Sequence, residues 1–186
     1  MSQSTDPALM TLAELAAACG LAITTFIEPA RYDPARYIAD PRLSRRLDGL
    51  DMLRRAALAE QLSGSMSKHV FYLTRPQDAA GAVARPDSPD MIPVLRDLDG
   101  PAIARGLKPG AGLRADLGGM PVNLALPRLA GPILARIDGR TSIGQLFESL
   151  TSADRGLTFQ TFQAQFQDLY AALNGVNKLL LRKLAP

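Results

Sequence analysis

The sequence predicts an α+β fold in two parts, and three observations carry that prediction. Apolar runs of helical period and of strand period both occur, so neither an all-α nor an all-β class fits. Up to residue 75 they alternate helix, strand, helix, strand, whereas after residue 90 an extended pair is followed by three helical runs. Between them RPQDAAGAVARPDSPD, Arg75 to Asp90, carries Pro, Asp, Ala and Gly without periodicity, which is the composition of a linker. The expected organisation is an α/β segment over residues 1–75, a linker over 76–90 and a second domain over 91–186. A chain of 186 residues, 47% hydrophobic and 21% charged, can bury one ordinary core or two small ones.

The first helix is expected to open at Asp6-Pro7, where the Asp carboxylate can accept from free N–H groups and Pro suits the first helical position. Leu9, Leu12, Ala16 and Cys19 recur at helical spacing, which predicts Cys19 as a small buried hydrophobe, and Gly20 follows as a left-handed C-cap. LAITTFI, Leu21 to Ile27, is β-branched and aromatic and stops at Glu28-Pro29, so it reads as a strand. After the Pro-broken segment ARYDPARYIADP, Asp40-Pro41 repeats the helix start. Leu43, Leu47, Leu50, Leu53 and Ala57 then form an apolar stripe that Gly49 interrupts and Gly64 ends. KHVFYLT, Lys68 to Thr74, is the second strand.

In the second part Gly118-Gly119 marks a tight hairpin inside GLRADLGGMPVNLAL, with Pro121 on an edge strand because it has no N–H to donate. Helices follow from about Arg128 to Ile137, Thr141 to Leu150 and Thr158 to Asn174. The last carries Phe159, Phe162, Phe166, Leu169, Leu173 and Val176 at three- and four-residue spacing. KLLLRKL closes the chain as strand or helix. A hairpin with three helices is the parts list of a winged-helix-like domain.

Composition narrows the function. The net charge is +3; TSIGQLFESL offers Gln145 and an opposing Glu148 with Arg140 just before it, and the helix from Phe159 to Asn174 has no Lys or Arg, whereas a duplex reader needs such groups to reach phosphates and base edges. Nucleic acid is therefore not an expected partner. One Cys and one His cannot complete a zinc site, and no metal is expected. MSQSTDPALM lacks the basic start and apolar core of an export signal, and no run of about 18 apolar residues occurs. No membrane contact and a cytoplasmic location are the expectation.

No catalytic constellation stands out: GxSxG, HExxH and CxxC are all missing from the sequence. Gly110 and Gly112 in KPGAGLRADLGG form a GxG, but no apolar strand precedes it and a hairpin follows, so a turn is expected rather than a ligand loop. Arg42, Arg45, Arg46, Arg54 and Arg55 are interleaved with Asp40, Asp48, Asp51 and Glu60 and read as a solvated mixed-charge face. The residues singled out for binding a substrate or partner are four. Tyr32 and Tyr37 flank Asp33 in a loop after a strand, where scaffold-held loops often bind. His69 is the only histidine, a residue type that serves as a general base where a carboxylate orients it. Arg140 precedes the helix of TSIGQLFESL.

Two resemblances attach to these residues. PALMTLAELAAACGLAITTFIEPARYDPARYI followed by RAALAEQLSGSMSKHVFYLTR resembles the last part of class I S-adenosylmethionine-dependent methyltransferases, in which a late helix feeds a strand of the Rossmann-like sheet and a final antiparallel strand closes it. VNLALPRLAGPILARIDGRTSIGQLFESL is similar to the C-terminal regulatory domain of some bacterial methyltransferases of this kind. More distantly it is similar to the winged-helix peptide chaperone of pyrroloquinoline quinone biosynthesis. The family's methyl-donor site uses a glycine-rich loop after the first strand and an acidic residue ending the second. Neither is found in this sequence, so no family site residue carries over. The resemblance implies a partial Rossmann-like α/β segment followed by a winged-helix-like regulatory or recognition domain, with no cofactor of its own. S-adenosylmethionine would enter only with a catalytic partner. Its expected partner is a protein or peptide, such as a catalytic methyltransferase subunit, with self-association. The alternative is a free-standing peptide- or protein-binding adaptor of winged-helix type.

Overall fold

The computed structural model describes residues 7–152 and 154–183, and they form an α+β protein of two compact units, Met1–Val83 and Ala84–Pro186. Each unit has short antiparallel sheets and its own buried apolar set. Residues 76–83 form a 3₁₀ turn and a short helix that fall with the first unit. By contrast, Asp87 and Pro89 bond into the second, their carbonyls accepting from Gln163 Nε2 and the Gly144 N–H.

In the first unit helix α1 spans Ala8–Ala18. Pro7 stands just before the first turn rather than inside it, and the Asp6 cap expected from the sequence lies outside the described residues. The helix ends as predicted, in a Schellman motif: Gly20, at φ 72°, donates to the Ala17 carbonyl and Leu21 donates to that of Ala16. Cys19 corrects an expectation, because it is exposed. Cys19 is the C-cap, one position past the last helical residue Ala18, so the stripe of Leu9 and Ala16 no longer sets where its side chain lies.

Strand β1, Ala22–Phe26, pairs antiparallel with β2, Phe71–Thr74. The register slips between Ile23 and Thr25, a bulge that lets Ile23 and Phe26 both face the core although simple alternation would separate them. Helix α2, Pro41–Arg45, is capped by Asp40 Oδ1 at 2.8 Å from Arg42 N, and α3, Met52–Ser63, by Asp51 Oδ1 at 2.8 Å from Arg54 N. The break near Gly49 therefore divides the predicted stripe. Leu47 and Ala57 are buried, while Leu43 is left exposed. Gly64 ends α3 at φ 60°. Leu9, Ile23, Phe26, Tyr32, Ala56 and Ala57 form the core, with Leu53, Met66 and Phe71 packed against it. Helix α4, Ala79–Ala82, follows β2.

The second unit begins with β3, Ile92–Leu95, which pairs antiparallel with β6, Leu179–Arg182. Helix α5, Gly100–Gly106, follows. Neither β3 nor α5 is anticipated by the sequence reading. The predicted hairpin is present as β4, Leu113–Asp116, and β5, Pro121–Leu124, joined through Gly118 and Gly119 at φ 66° and 92°, the positive pair of a type I′ turn. Gly110, at φ 74°, sits in a turn closed by Ala111 N on the Lys108 carbonyl.

Helix α6 is Ala130–Leu134, α7 is Ile143–Thr151 with Ser142 and Gln145 in a reciprocal capping box, and α8 is Phe159–Gly175 with Thr158 as cap. Ile133, Leu134, Ile143, Leu146, Phe162, Phe166, Leu169, Leu173 and Leu179 are fully or almost fully buried.

Gly100 shows how closely this unit is packed. A Cβ there would run into the Leu134 carbonyl oxygen of α6 and lie 2.8 Å from Leu95 Cδ1. Gly100→Ala is therefore expected to destabilise the second unit by about 1–3 kcal/mol. Gly106→Ala, with nothing within 4 Å of the added carbon, is expected to be neutral or slightly stabilising. Urea unfolding of the two variants beside the parent checks the contrast.

Candidate functional site

The segment between β1 and α2 creates a concavity in the first unit. Glu28 takes a left-handed turn at φ 59°, and Pro29 then starts a 3₁₀ turn through Tyr32. Asp33, whose Oδ1 accepts from Ala35 N at 3.2 Å, starts a second one over Pro34–Arg36. This path brings Tyr32 under Phe26, with ring centroids 4.1 Å apart and planes at 22°. Both rings line an open cavity of about 360 Å³, together with Thr25, Pro29, Met52, Asp33 and Arg55.

The polar part of that lining is an ion pair. Arg55 Nη2 lies 2.7 Å from Asp33 Oδ1 while its Nη1 donates to the Leu47 carbonyl at 3.0 Å. Both side chains are about one-third exposed, so the pair orients the loop more than it stabilises the unit. Arg42, Arg45, Arg46 and Arg54 are exposed, as the mixed-charge face predicted, but Arg55 leaves that face and is turned to the loop. Sequence reasoning missed the Asp33–Arg55 pair, and the one signal for it is the Asp-Pro step at Asp33, which marks a turn without naming a partner.

Glu60, near the end of α3, is a second residue the sequence did not single out. Its Oε1 accepts from Ala8 N and its Oε2 from Leu9 N, each at 3.0 Å, so a carboxylate from another helix caps α1. Oε1 also lies 3.6 Å from His69 Nε2, and the His69 side chain is only 7% exposed. His69 Nδ1 is buried without a hydrogen-bond partner. A histidine enclosed in this way, against a carboxylate already holding two backbone donors, is placed to organise α1 and the entry to β2.

The four residues singled out from the sequence do not form one site. Tyr32 and His69 come together, ring centroids 5.8 Å apart, and the Tyr32 hydroxyl accepts from Val70 N at 3.2 Å. Burial, only partly offset by that bond, raises the Tyr32 hydroxyl above the usual tyrosine range. Tyr37 lies on the same loop, donates its hydroxyl to the Arg31 carbonyl at 2.9 Å, and is likewise raised by burial. Arg140 belongs to the second unit and is exposed in the turn after Gly139. There Asp138 Oδ1 accepts from both Arg140 N and Thr141 N at 2.8 Å.

Those two bonds hold the Asp138 carboxyl below the usual aspartate range. A lowered carboxylate contributes stability that is complete above the unfolded value, about pH 4, and is lost as pH falls through the folded one. The stability difference between the parent and Asp138→Ala is therefore expected to be level near neutrality and to shrink on acidification below about pH 4. Unfolding of the pair across pH 2.5 to 7 measures it.

Among the described residues no group of three or more His, Cys, Asp or Glu is placed to hold a metal, and no helix is long and apolar enough to cross a membrane. No protein-family model matches the chain, and no curated protein matches it.

Proposed function

We propose that the chain acts as a non-catalytic regulatory or substrate-recognition region of an S-adenosylmethionine-dependent methyltransferase, by docking on a protein partner rather than by holding a methyl donor. On this proposal α1, β1, α3 and β2 are late elements of a Rossmann-like layer, and the second unit is a winged-helix-like recognition domain. The carrying observation is the state of β2. Val70 just before it, and Tyr72 and Leu73 within it, are exposed to 38, 60 and 41%, in a sheet that has two strands among the described residues. A sheet that small with apolar side chains in solvent is marginal by itself and invites a further strand or layer.

The cavity beside Phe26 and Tyr32 supports recognition more than chemistry. Its charged groups, Asp33 and Arg55, are bound to each other, and the one histidine lies against Glu60. Methyl transfer from labelled S-adenosylmethionine to protein, peptide and small-molecule acceptors is expected to stay at the enzyme-free background. Turnover above that background would contradict the proposal.

A second reading, a free-standing peptide adaptor, draws on the other unit. A cleft of about 290 Å³ lies there among Val94, Leu95, Leu98, Ile137 and Asp138. Peptide-induced shifts confined to those residues, with no effect of a methyltransferase partner, would favour the adaptor.

A further inference from the structure

The outer edge of β2 has a defined chemistry. The 2.9 Å bond from the Ile27 N–H to the Val70 carbonyl sets the phase of the β1–β2 ladder. In an antiparallel pair, residues alternate in the direction of their backbone groups, so Val70, Tyr72 and Thr74 address β1. Phe71 and Leu73 then direct their N–H and C=O groups outward, where the described residues provide no strand partner. Lys68 and Arg75, one at each end of this edge, are both exposed, and among the described residues neither forms an ion pair. From Lys68 to Arg75 the segment KHVFYLTR contains no acid.

Charge decides what can pair there. Two copies of β2 joined antiparallel through their outward groups would set Phe71 against Phe71 or Leu73, and either register brings Lys68 of each within one position of Arg75 of the other. Both ends of such a ribbon would then gather cations with no acid between them, which disfavours the pairing. The apolar centre and the outward amides nevertheless suit strand addition, in which main-chain bonds give affinity and flanking side chains give selectivity.

We infer that the outer edge of β2 receives an extended, apolar strand of a partner protein that carries a carboxylate side chain at each end, and that it rejects a second copy of itself. The inference rests on the docking role proposed above and specifies the partner. Its test is independent of any methyl donor.

The probes are two synthetic eight-residue peptides, acetylated and amidated, with the same alternating Val-Thr centre and either Glu or Lys at both ends. They are titrated into the ¹⁵N-labelled chain at low salt. The Glu-ended peptide is expected to shift the Phe71 and Leu73 amides and to bind about tenfold tighter than the Lys-ended one, the scale of two exposed charge pairs. The preference should fade in high salt and reverse in the surface double variant Lys68→Glu/Arg75→Glu.

Equal binding of the two peptides, shifts that avoid Phe71 and Leu73, no binding of either, or a dimer of the parent chain joined through those amides would each overturn the inference. Methyl transfer by the chain alone would instead overturn the function proposed above and leave this result standing.

Discussion

Phe162→Ala is expected to remove about 3–5 kcal/mol from the second unit, the cost of truncating a fully buried aromatic ring. Phe162 is 0% exposed and lies at the centre of an aromatic row, with ring centroids 5.6 Å from Phe147, 6.3 Å from Phe159 and 6.1 Å from Phe166. The ring is held by α8 on one side and reached by α7 through Phe147, so its loss opens a cavity that neither helix can close without moving the other. Chemical unfolding should show the second unit's transition at much lower denaturant and the first unit's unchanged. A loss below about 1 kcal/mol would mean that α8 packs elsewhere than at Phe162.

Glu60→Ala is expected to destabilise the first unit by about 2–4 kcal/mol, a large effect for a polar residue. It removes the acceptor of two N–H groups at the start of α1, of which that of Leu9 belongs to a residue with no solvent exposure. It also strips His69 of the carboxylate at 3.6 Å. Glu60→Gln, which keeps one acceptor oxygen, should lose roughly half as much, since one of the two donors remains satisfied. Hydrogen exchange locates the effect: the Leu9 and Met10 amides should lose protection before the rest of α1. If the Ala variant kept its stability and its Leu9 protection, the carboxylate would not be the cap of this helix.

What could be read from the sequence divides along a physical line. Elements set by local signals were legible. Ser142 and Thr158 cap α7 and α8, Gly118-Gly119 turns β4 into β5, and Gly20 and Gly64 end α1 and α3. The Phe162, Phe166, Leu169 and Leu173 stripe of α8 is buried because its period matches the helix.

Elements set by distant partners were not legible. β3 is four residues with Pro93 inside it, and it exists as a strand by pairing with Leu179–Arg182 at the far end of the unit. α5 has the Asp cap and early Pro of a helix start, but its seven residues GPAIARG hold two glycines and no apolar stripe, and Gly100 is set by close approach to α6. Cys19 failed because a spacing rule was carried one position past the helix end.

The candidate site follows the same rule. Tyr32, Tyr37 and His69 were picked out by residue type, and the structure puts two of them in contact. Asp33, Arg55 and Glu60 were passed over because their roles come from contacts that span the unit. Arg55 reaches Asp33 across 22 positions and Glu60 reaches Leu9 across 51, and no window of sequence contains either pair. Which side chains of KHVFYLT stay exposed, Val70, Tyr72 and Leu73 among them, could not be read from the run, because an apolar, β-branched stretch looks the same whether or not another layer covers it.

The measurement that bears most directly on the proposed role is calorimetric titration of the purified chain with S-adenosylmethionine and with its demethylated product. The predicted result is no binding heat for either. Saturable binding of one or both in the micromolar range would contradict the proposal, because it would give the chain a methyl-donor site of its own.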